Sequence, residues 1–264
     1  MTKIPQGRAV VTGASSGIGA AYAERLAARG HPLLLVARRA ERLQALAAEL
    51  SAAHGVDIQV LVADLEDPAG VAAVEARLAD PDIAILVNNA GGGGLGPTAA
   101  VSADQIERTL RLNVLALARL SHAALAGFRA RGAGLLVNIG SVMAHAPSAG
   151  GAAYSGSKAF VLNFTRSLEL EHAGTAVQVQ LVMPGPIRTE FFSSQGLSDS
   201  VFPDSAFLTP QQLVDAALAG VEAGETVTVP SLADPAVWEQ LEASRQAFMG
   251  GVGSGQVAPR YRAG

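Results

Sequence analysis

Arg8-Ala-Val-Val-Thr-Gly-Ala-Ser-Ser-Gly-Ile-Gly19 decides how the chain is read. The apolar run Arg8–Thr12 is stopped by Gly13, and helical character then runs from Ser16 to Gly30, where a glycine suits a helix C-cap. Strand, glycine turn and helix in this order put the helix N-terminus at the carboxyl edge of the strand. Backbone N–H groups and the positive end of the helix dipole favour an anion there, such as a pyrophosphate. Gly13, Gly17 and Gly19 permit the tight turn and the close approach of backbone to that anion, with Ser15, Ser16 and Ile18 completing the loop. The spacing is G-x-x-x-G-x-G and not G-x-G-x-x-G. Its weight therefore comes from its place after the first strand of a series.

That series extends outward from the turn. His31–Ala37 is apolar, Glu41–His54 reads as a helix closed by Gly55, Asp57–Ala63 as a strand, Pro68–Ala79 as a helix and Ile83–Asn88 as a strand. Asp104–Arg131 then reads as one long helix, followed by strand Leu135–Ile139, helix Ala152–His172 and strand Val177–Met183. After Pro184 comes an irregular segment, then helix Pro210–Ala223, strand Thr226–Val229, a last helix from about Pro235 and a glycine-rich tail. The alternation predicts an α/β fold: one doubly wound, Rossmann-like parallel sheet of about seven strands with helices on both faces. No fixed-period repeat or linker divides the chain. A single domain over 1–264 is expected, with a substrate loop at about 186–208 and a glycine-rich tail at about 249–264 that holds no regular structure by itself.

Composition narrows the function. Of 264 residues, 49% are hydrophobic and 16% charged, which suits a globule with a large core. The net charge of −4 includes no basic run, so neither nucleic acid nor an anionic membrane is an expected partner. With no cysteine, disulfides and thiolate chemistry are excluded, and no His/Asp/Glu spacing suggests a metal. The N-terminal residues lack the apolar stretch of about 7–15 residues of a secretory signal. No run approaches the roughly 20 apolar residues of a membrane span, so a soluble cytoplasmic protein is expected.

The chemistry gathers at Tyr154-Ser-Gly-Ser-Lys158. Four residues is about one helical turn, so the phenol and the ammonium leave the same helix face. A tyrosine needs such help, because ionising it near neutral pH takes about 4 kcal/mol of selective phenolate stabilisation. Taken alone, the pair also fits an ordinary helix surface. At the end of the second strand stands Val36-Ala37-Arg38-Arg39, where a fold binding NAD would place a carboxylate for the ribose 2′-hydroxyl. Arginine there suits a 2′-phosphate and favours NADP(H), with Arg38 as the candidate and Arg39 beside it. Asp64, followed by Leu65, is placed to meet the adenine or to cap a loop.

Together these residues resemble the short-chain dehydrogenase/reductase family along nearly the whole chain. The matching elements are Thr12–Gly19, Asn88-Asn89-Ala90-Gly91, Asn113, Ser141, Tyr154 with Lys158, and Pro184-Gly185-Pro-Ile187-Arg-Thr189. Ala37-Arg-Arg-Ala-Glu-Arg-Leu43 with Pro184–Phe192 resembles the branch of NADP-dependent carbonyl reductases and 3-hydroxy acid dehydrogenases. The resemblance implies hydride transfer between NADP(H) and a carbonyl or secondary alcohol. Tyr154 would be the general acid or base, Ser141 would hold the substrate oxygen, and Lys158 would hold the nicotinamide ribose. Asn113 would link a water relay to Lys158, although a buried asparagine with satisfied partners fits the same pattern. Asn89, Ala90 and Gly91 would brace the cofactor, and Ile187 and Thr189 would meet the nicotinamide carboxamide. Val142, Met143 and His145 would line the substrate pocket with Phe191 and Phe192. The Phe-rich loop is open to two readings, a lid or a segment packed on itself. The resemblance also implies a homodimer or homotetramer through the long helix and the Tyr154 helix. NAD-linked alcohol oxidation and a non-catalytic NADP(H)-binding sensor or scaffold are the alternatives.

Overall fold

The computed structural model describes residues 3–196, 198, 200, 202–253 and 255–262. The parts of the expected loop and tail that fall on residues 197, 199, 201, 254, 263 and 264 lie outside the described residues. The chain forms two compact units, one up to Pro230 and one from Ser231.

The first unit is built from β1 (Arg8–Thr12), α1 (Gly17–Ala28), β2 (Leu33–Ala37), α2 (Ala40–His54), β3 (Ile58–Val62), α3 (Pro68–Leu78) and β4 (Ile83–Asn88). Its second half comprises α4 (Ala103–Leu110), a π-helical turn at Arg111–Ala116, α5 (Leu117–Arg131), β5 (Gly134–Ile139), α6 (Ala152–Glu171), β6 (Val177–Val182), α7 (Pro210–Ala223) and β7 (Val227–Thr228). The strands make one parallel sheet in the order β3-β2-β1-β4-β5-β6-β7. The chain reverses its direction across the sheet after β3, so a crevice opens at the carboxyl ends of β1 and β4, where such folds bind ligands.

Alternation along the strands explains why helices cover both faces. Ala9 and Val11 of β1 face a core with Tyr22 and Leu26 of α1, Leu43 and Leu50 of α2, and Leu213 of α7. Val10, between them, faces the opposite core with Val74 of α3, Phe128 of α5 and Leu168 of α6. Near-continuous apolar strands are what a sheet buried on both faces requires. At the edge remote from the crevice, the buried Arg8 guanidinium joins Asp57 and Asp82, each at 2.8 Å, and donates to Leu33 O at 3.0 Å. One side chain thus ties together the amino ends of neighbouring strands.

Two local predictions change. The helix expected over Asp104–Arg131 is interrupted by the π-helical turn, inside which Asn113 lies. The last helix, α8 (Pro235–Val252), belongs to the second unit and runs through Met249, Gly250 and Gly251, part of the tail expected to lack regular structure. Pro235 at its first turn and the Asp234 carboxylate, which accepts from Ala236 N at 2.9 Å, start the helix firmly. Extending a formed helix fixes fewer torsions per hydrogen bond than starting one, so two glycines near its end are tolerated.

Candidate active site

All the sequence-selected residues of the site fall on or just after the carboxyl ends of the strands, in α6, or in the π-helical turn. Gly13 has φ of +65°, and a Cβ there would stand 2.8 Å from the Asn89 side-chain amide. A Cβ on Gly19 would meet Gly13 O at 2.4 Å. The loop can therefore fold this tightly only with glycine at both positions. Thr12 closes it from below: its hydroxyl accepts from Asn89 N and Ala90 N, both at 3.0 Å, while Asn89 Nδ2 donates to Thr12 O at 2.9 Å. Ser15, Ser16 and Ile18 are half-buried there, at the N-terminus of α1.

Tyr154 and Lys158 project from the first turns of α6, and Ser141 follows β5. The Ser141 hydroxyl accepts from Met143 N at 3.1 Å, capping the short turn that carries Val142 and Met143. Lys158 is 7% exposed, donates from Nζ to Ile139 O at 2.9 Å, and lies 5.8 Å from the centre of the Tyr154 ring. Burial lowers the Lys158 pKa to about 8. Burial raises that of Tyr154, and a hydrogen bond with Ser141 pulls it partly back. Tyr154 therefore carries its proton at neutral pH.

Asn113 is 2% exposed and has every polar group engaged. Its Oδ1 accepts from Gly92 N at 2.9 Å, and its Nδ2 donates to Gly92 O at 2.9 Å and to Ser157 Oγ at 3.0 Å. Ser157 Oγ in turn donates to Tyr154 O at 2.7 Å. The asparagine thus clamps the Gly91–Gly94 run to the tyrosine helix. The π-helical turn around it is a departure from α geometry of the kind that recurs at functional sites. Below this clamp, Asn88 Nδ2 donates to Ser121 Oγ and Asn138 Oδ1, both at 3.0 Å, and Asn138 Nδ2 donates to Thr165 Oγ1 at 3.0 Å.

The segment after β6 returns to the crevice. Pro184 and Ile187 are buried and Gly185 partly so, and Pro186–Arg188 pairs with Leu208 through bonds of 2.9 and 3.2 Å. Thr189 sits against the phosphate loop, since a Cβ on Gly17 would meet its Cγ2 at 3.1 Å. Phe191 stands 5.5 Å from the Tyr154 ring, centre to centre, while Phe192, Phe202 and Phe207 pack mutually at 6.0–6.4 Å. The loop therefore packs on itself and also presents one ring to the tyrosine. His145 is exposed at the rim.

The arginines after β2 divide their tasks. Arg38 lies 3.4 Å from Glu66 and 3.8 Å from Asp64, and the Asp64 carboxylate also accepts from Glu66 N. Leu65 beside them is buried. Arg39 reaches the phosphate loop, with Nε to Ser15 Oγ at 3.1 Å and Nη2 to Ser16 Oγ at 2.6 Å. The arginine read from sequence as standing aside is the one that touches the loop.

A sequence model of the short chain dehydrogenase family matches residues 8–199. The chain belongs to the short-chain dehydrogenase family. Among solved structures it superposes on a short-chain dehydrogenase from Sphingobium yanoikuyae in complex with NADPH, with a TM-score of 0.92 and 45% identity over 97% of this chain and 100% of that one. A bulky-bulky ketone specific alcohol dehydrogenase from Comamonas testosteroni follows at TM-score 0.89 and 40% identity, covering 97% and 99% of the two chains. The NADP-dependent 3-hydroxy acid dehydrogenase YdfG of Salmonella typhi is 36% identical over 216 residues, 78% of this chain and 86% of that protein.

Three features of this family member escaped sequence reasoning. Ser157 stands between Tyr154 and Lys158, and a serine within a helix gives no sign that it bridges Asn113 to the Tyr154 carbonyl. Asn138 stands alone among the apolar residues of β5, and Thr165 among other polar residues of α6, so neither signals a buried pair. Glu190, whose carboxylate binds Arg39 and Arg42, had a readable signal: an acid directly after Thr189, in a chain with three arginines at 38, 39 and 42.

Proposed function

We propose that this chain is an NADP(H)-dependent oxidoreductase that interconverts a ketone or aldehyde with its alcohol, Tyr154 giving or taking the proton. One observation carries the reading: Ser141 and Lys158 converge on the Tyr154 phenol, Ser141 by a hydrogen bond and Lys158 at 5.8 Å from the ring centre. The absence of a Cβ at Gly13 and Gly19, and the donors of Ser15, Ser16 and Arg39, fit a dinucleotide across the β1–β4 crevice. Gly17 and Ile18 would add backbone donors, Arg38, Asp64 and Leu65 would flank the adenosine, and Asn89, Ala90 and Gly91 the neighbouring ribose. Pro184, Gly185, Ile187 and Thr189 would orient the nicotinamide.

When bound, the nicotinamide supplies the hydride. Ser141 then holds the substrate oxygen at the phenol, Tyr154 transfers its proton there, and Lys158 fixes the ribose and steadies the charge left on Tyr154. Asn113 keeps the Gly91–Gly94 run and the tyrosine helix in register, and so positions the backbone around any water that relays protons to Lys158. Val142, Met143, His145, Phe191 and Phe192 surround the substrate. An apolar ketone suits the Phe191 ring beside Tyr154, as does the likeness to the ketone-specific Comamonas enzyme. Leu110, Leu115 and Phe160 are exposed on the helices expected to meet a second copy, which supports a homo-oligomer through that face. A cytoplasmic location belongs to the same proposal.

Mixing the purified chain with NADPH and a panel of ketones and aldehydes, while following the absorbance of the reduced nicotinamide, tests the reaction. NADPH binding without turnover of any carbonyl counts against it. A second reading, NAD-linked oxidation, draws on the partners that Arg38 and Arg39 already have. Comparing NADPH with NADH affinity in the wild type decides between them.

A further inference from the structure

Each arginine at the proposed adenosine end of the crevice is paired with a carboxylate. Arg38 faces Asp64 and Glu66, while Arg39 and Arg42 share Glu190, so three guanidiniums stand against three carboxylates. The three acids differ in origin. Asp64 and Glu66 follow β3 and are fixed beside Arg38. Glu190 comes from the segment after β6, directly after Thr189, and reaches across to α2.

The geometry of Glu190 makes it a stand-in for an anion. One of its oxygens is 2.8 Å from Arg39 Nη1, and both lie within 3.1 Å of Arg42 Nη1. The same Arg39 guanidinium points its other donors at the Ser15 and Ser16 hydroxyls of the glycine turn. Glu190 therefore occupies the outer side of a guanidinium whose inner side faces the phosphate groove. Hydrogen bonds and charge from Arg39 and Arg42 hold its carboxyl at about 2, so it is ionised at any working pH. Its side chain is 50% exposed and that of Arg39 41% exposed. Exposed ion pairs of this sort are weak and screened by solvent, so the pair can yield to a stronger anion.

Resting on the NADP(H) reading above, we propose that Glu190 is a built-in competitor for the cofactor's 2′-phosphate. It holds Arg39 and Arg42 in the unliganded chain and gives them up when the phosphate binds, so it sets how strongly the site prefers NADP(H) over NAD(H). The exchange replaces a single negative charge with a phosphate of nearly two, which two arginines accommodate better than one carboxylate does. NAD(H) lacks that group and leaves the Glu190 pair in place. Glu190 thereby tempers the affinity for the phosphorylated cofactor, and release of product cofactor is eased as the carboxylate returns.

The test is equilibrium binding of NADPH and of NADH, read by the fluorescence of the reduced nicotinamide and independent of turnover, in the wild type, Glu190→Gln, Arg39→Ala and the double variant. Glu190→Gln is expected to tighten NADPH binding by about 5-fold in low salt, with NADH moved less than about 2-fold. The gain should shrink as salt is raised, and should fall clearly in the Arg39→Ala background, because the competition acts through that guanidinium. Unchanged or weaker NADPH binding in Glu190→Gln, or an equal gain for NADH, overturns the inference while wild-type NADPH binding keeps the cofactor reading. A wild type that prefers NADH sinks the cofactor reading itself, and this inference with it.

Discussion

Lys158 and Arg39 are both cations at the carboxyl edge of one sheet, and they are held there by opposite means. Lys158 is 7% exposed, has a backbone carbonyl as its hydrogen-bond partner, and is pushed by burial to about 8. Arg39 has a side chain 41% exposed and is surrounded by two hydroxyls and a carboxylate. The proposed catalytic end is therefore set by desolvation and a hydrogen-bond network, which the fold fixes. The proposed adenosine end is set by exposed ion pairs, which salt and ligand would redistribute. The buried end should respond to single-atom deletions and to pH, the exposed end to ionic strength.

The sharpest break is Tyr154→Phe, which removes one hydroxyl and leaves the ring packed near Phe191. Turnover should fall by about 10³-fold, within the range expected for losing a positioned general acid, while NADPH affinity stays within about 2-fold of wild type. Wild-type turnover in this variant would remove Tyr154 from the reaction. Next comes Lys158→Met, in which activity and stability should move in opposite directions. The folded chain releases the Lys158 proton above about 8 and an unfolded chain only near 10.5. Between those values the unfolded chain binds the extra proton, so native stability rises with pH across that window and carries the full penalty below it. Replacing the amine by an apolar side chain should thus raise stability at neutral pH by up to about 3 kcal/mol, a gain that fades towards pH 10.5. Chemical denaturation of both proteins at pH 7 and near 10.5 checks it, and a loss of stability at pH 7 would contradict the desolvation account.

Asn113→Leu should act on the same end with a smaller effect. It strands the N–H and C=O of Gly92 and removes a donor from the Ser157 hydroxyl, for a loss of about 1–3 kcal/mol in stability. The denaturation midpoint reads this directly, and the loss should be nearly independent of salt. A midpoint that does not move would mean that the clamp is dispensable.

The contrast also explains what the chain disclosed before its structure was in hand. The parallel sheet was legible because apolar strands and glycine-closed helices alternate with little exception; Gly13 stood out by its place directly after the first strand, and Ser141, Tyr154 and Lys158 through the family resemblance of the whole set. The π-helical turn was not, since Leu110–Leu115 has the same helical periodicity whether or not one residue is squeezed in around Asn113. The choice between Arg38 and Arg39 was not legible either. It depends on carboxylates from the β3–α3 connection and from the segment after β6, which are far away in sequence. Contacts buried by the fold leave a pattern of spacing, whereas exposed ion pairs leave only composition.

Ionic strength separates the two ends most gently. Arg39→Ala should weaken NADPH binding by about tenfold in low salt, since it deletes the guanidinium that spans the glycine turn and the Glu190 carboxylate. Near 1 M salt, where the screening length falls to about 3 Å, the difference between Arg39→Ala and wild type should shrink to about 2-fold. Arg38→Ala should do less under both conditions, because Asp64 and Glu66 already share that charge. NADPH titrations of the two variants across a salt series measure this. If Arg38→Ala proved the more damaging, the 2′-phosphate would belong with Arg38 and its carboxylates would be the ones displaced. If neither variant responded to salt, the adenosine end would be governed by buried contacts, as the catalytic end is, and the contrast between Lys158 and Arg39 would not extend to ligand binding.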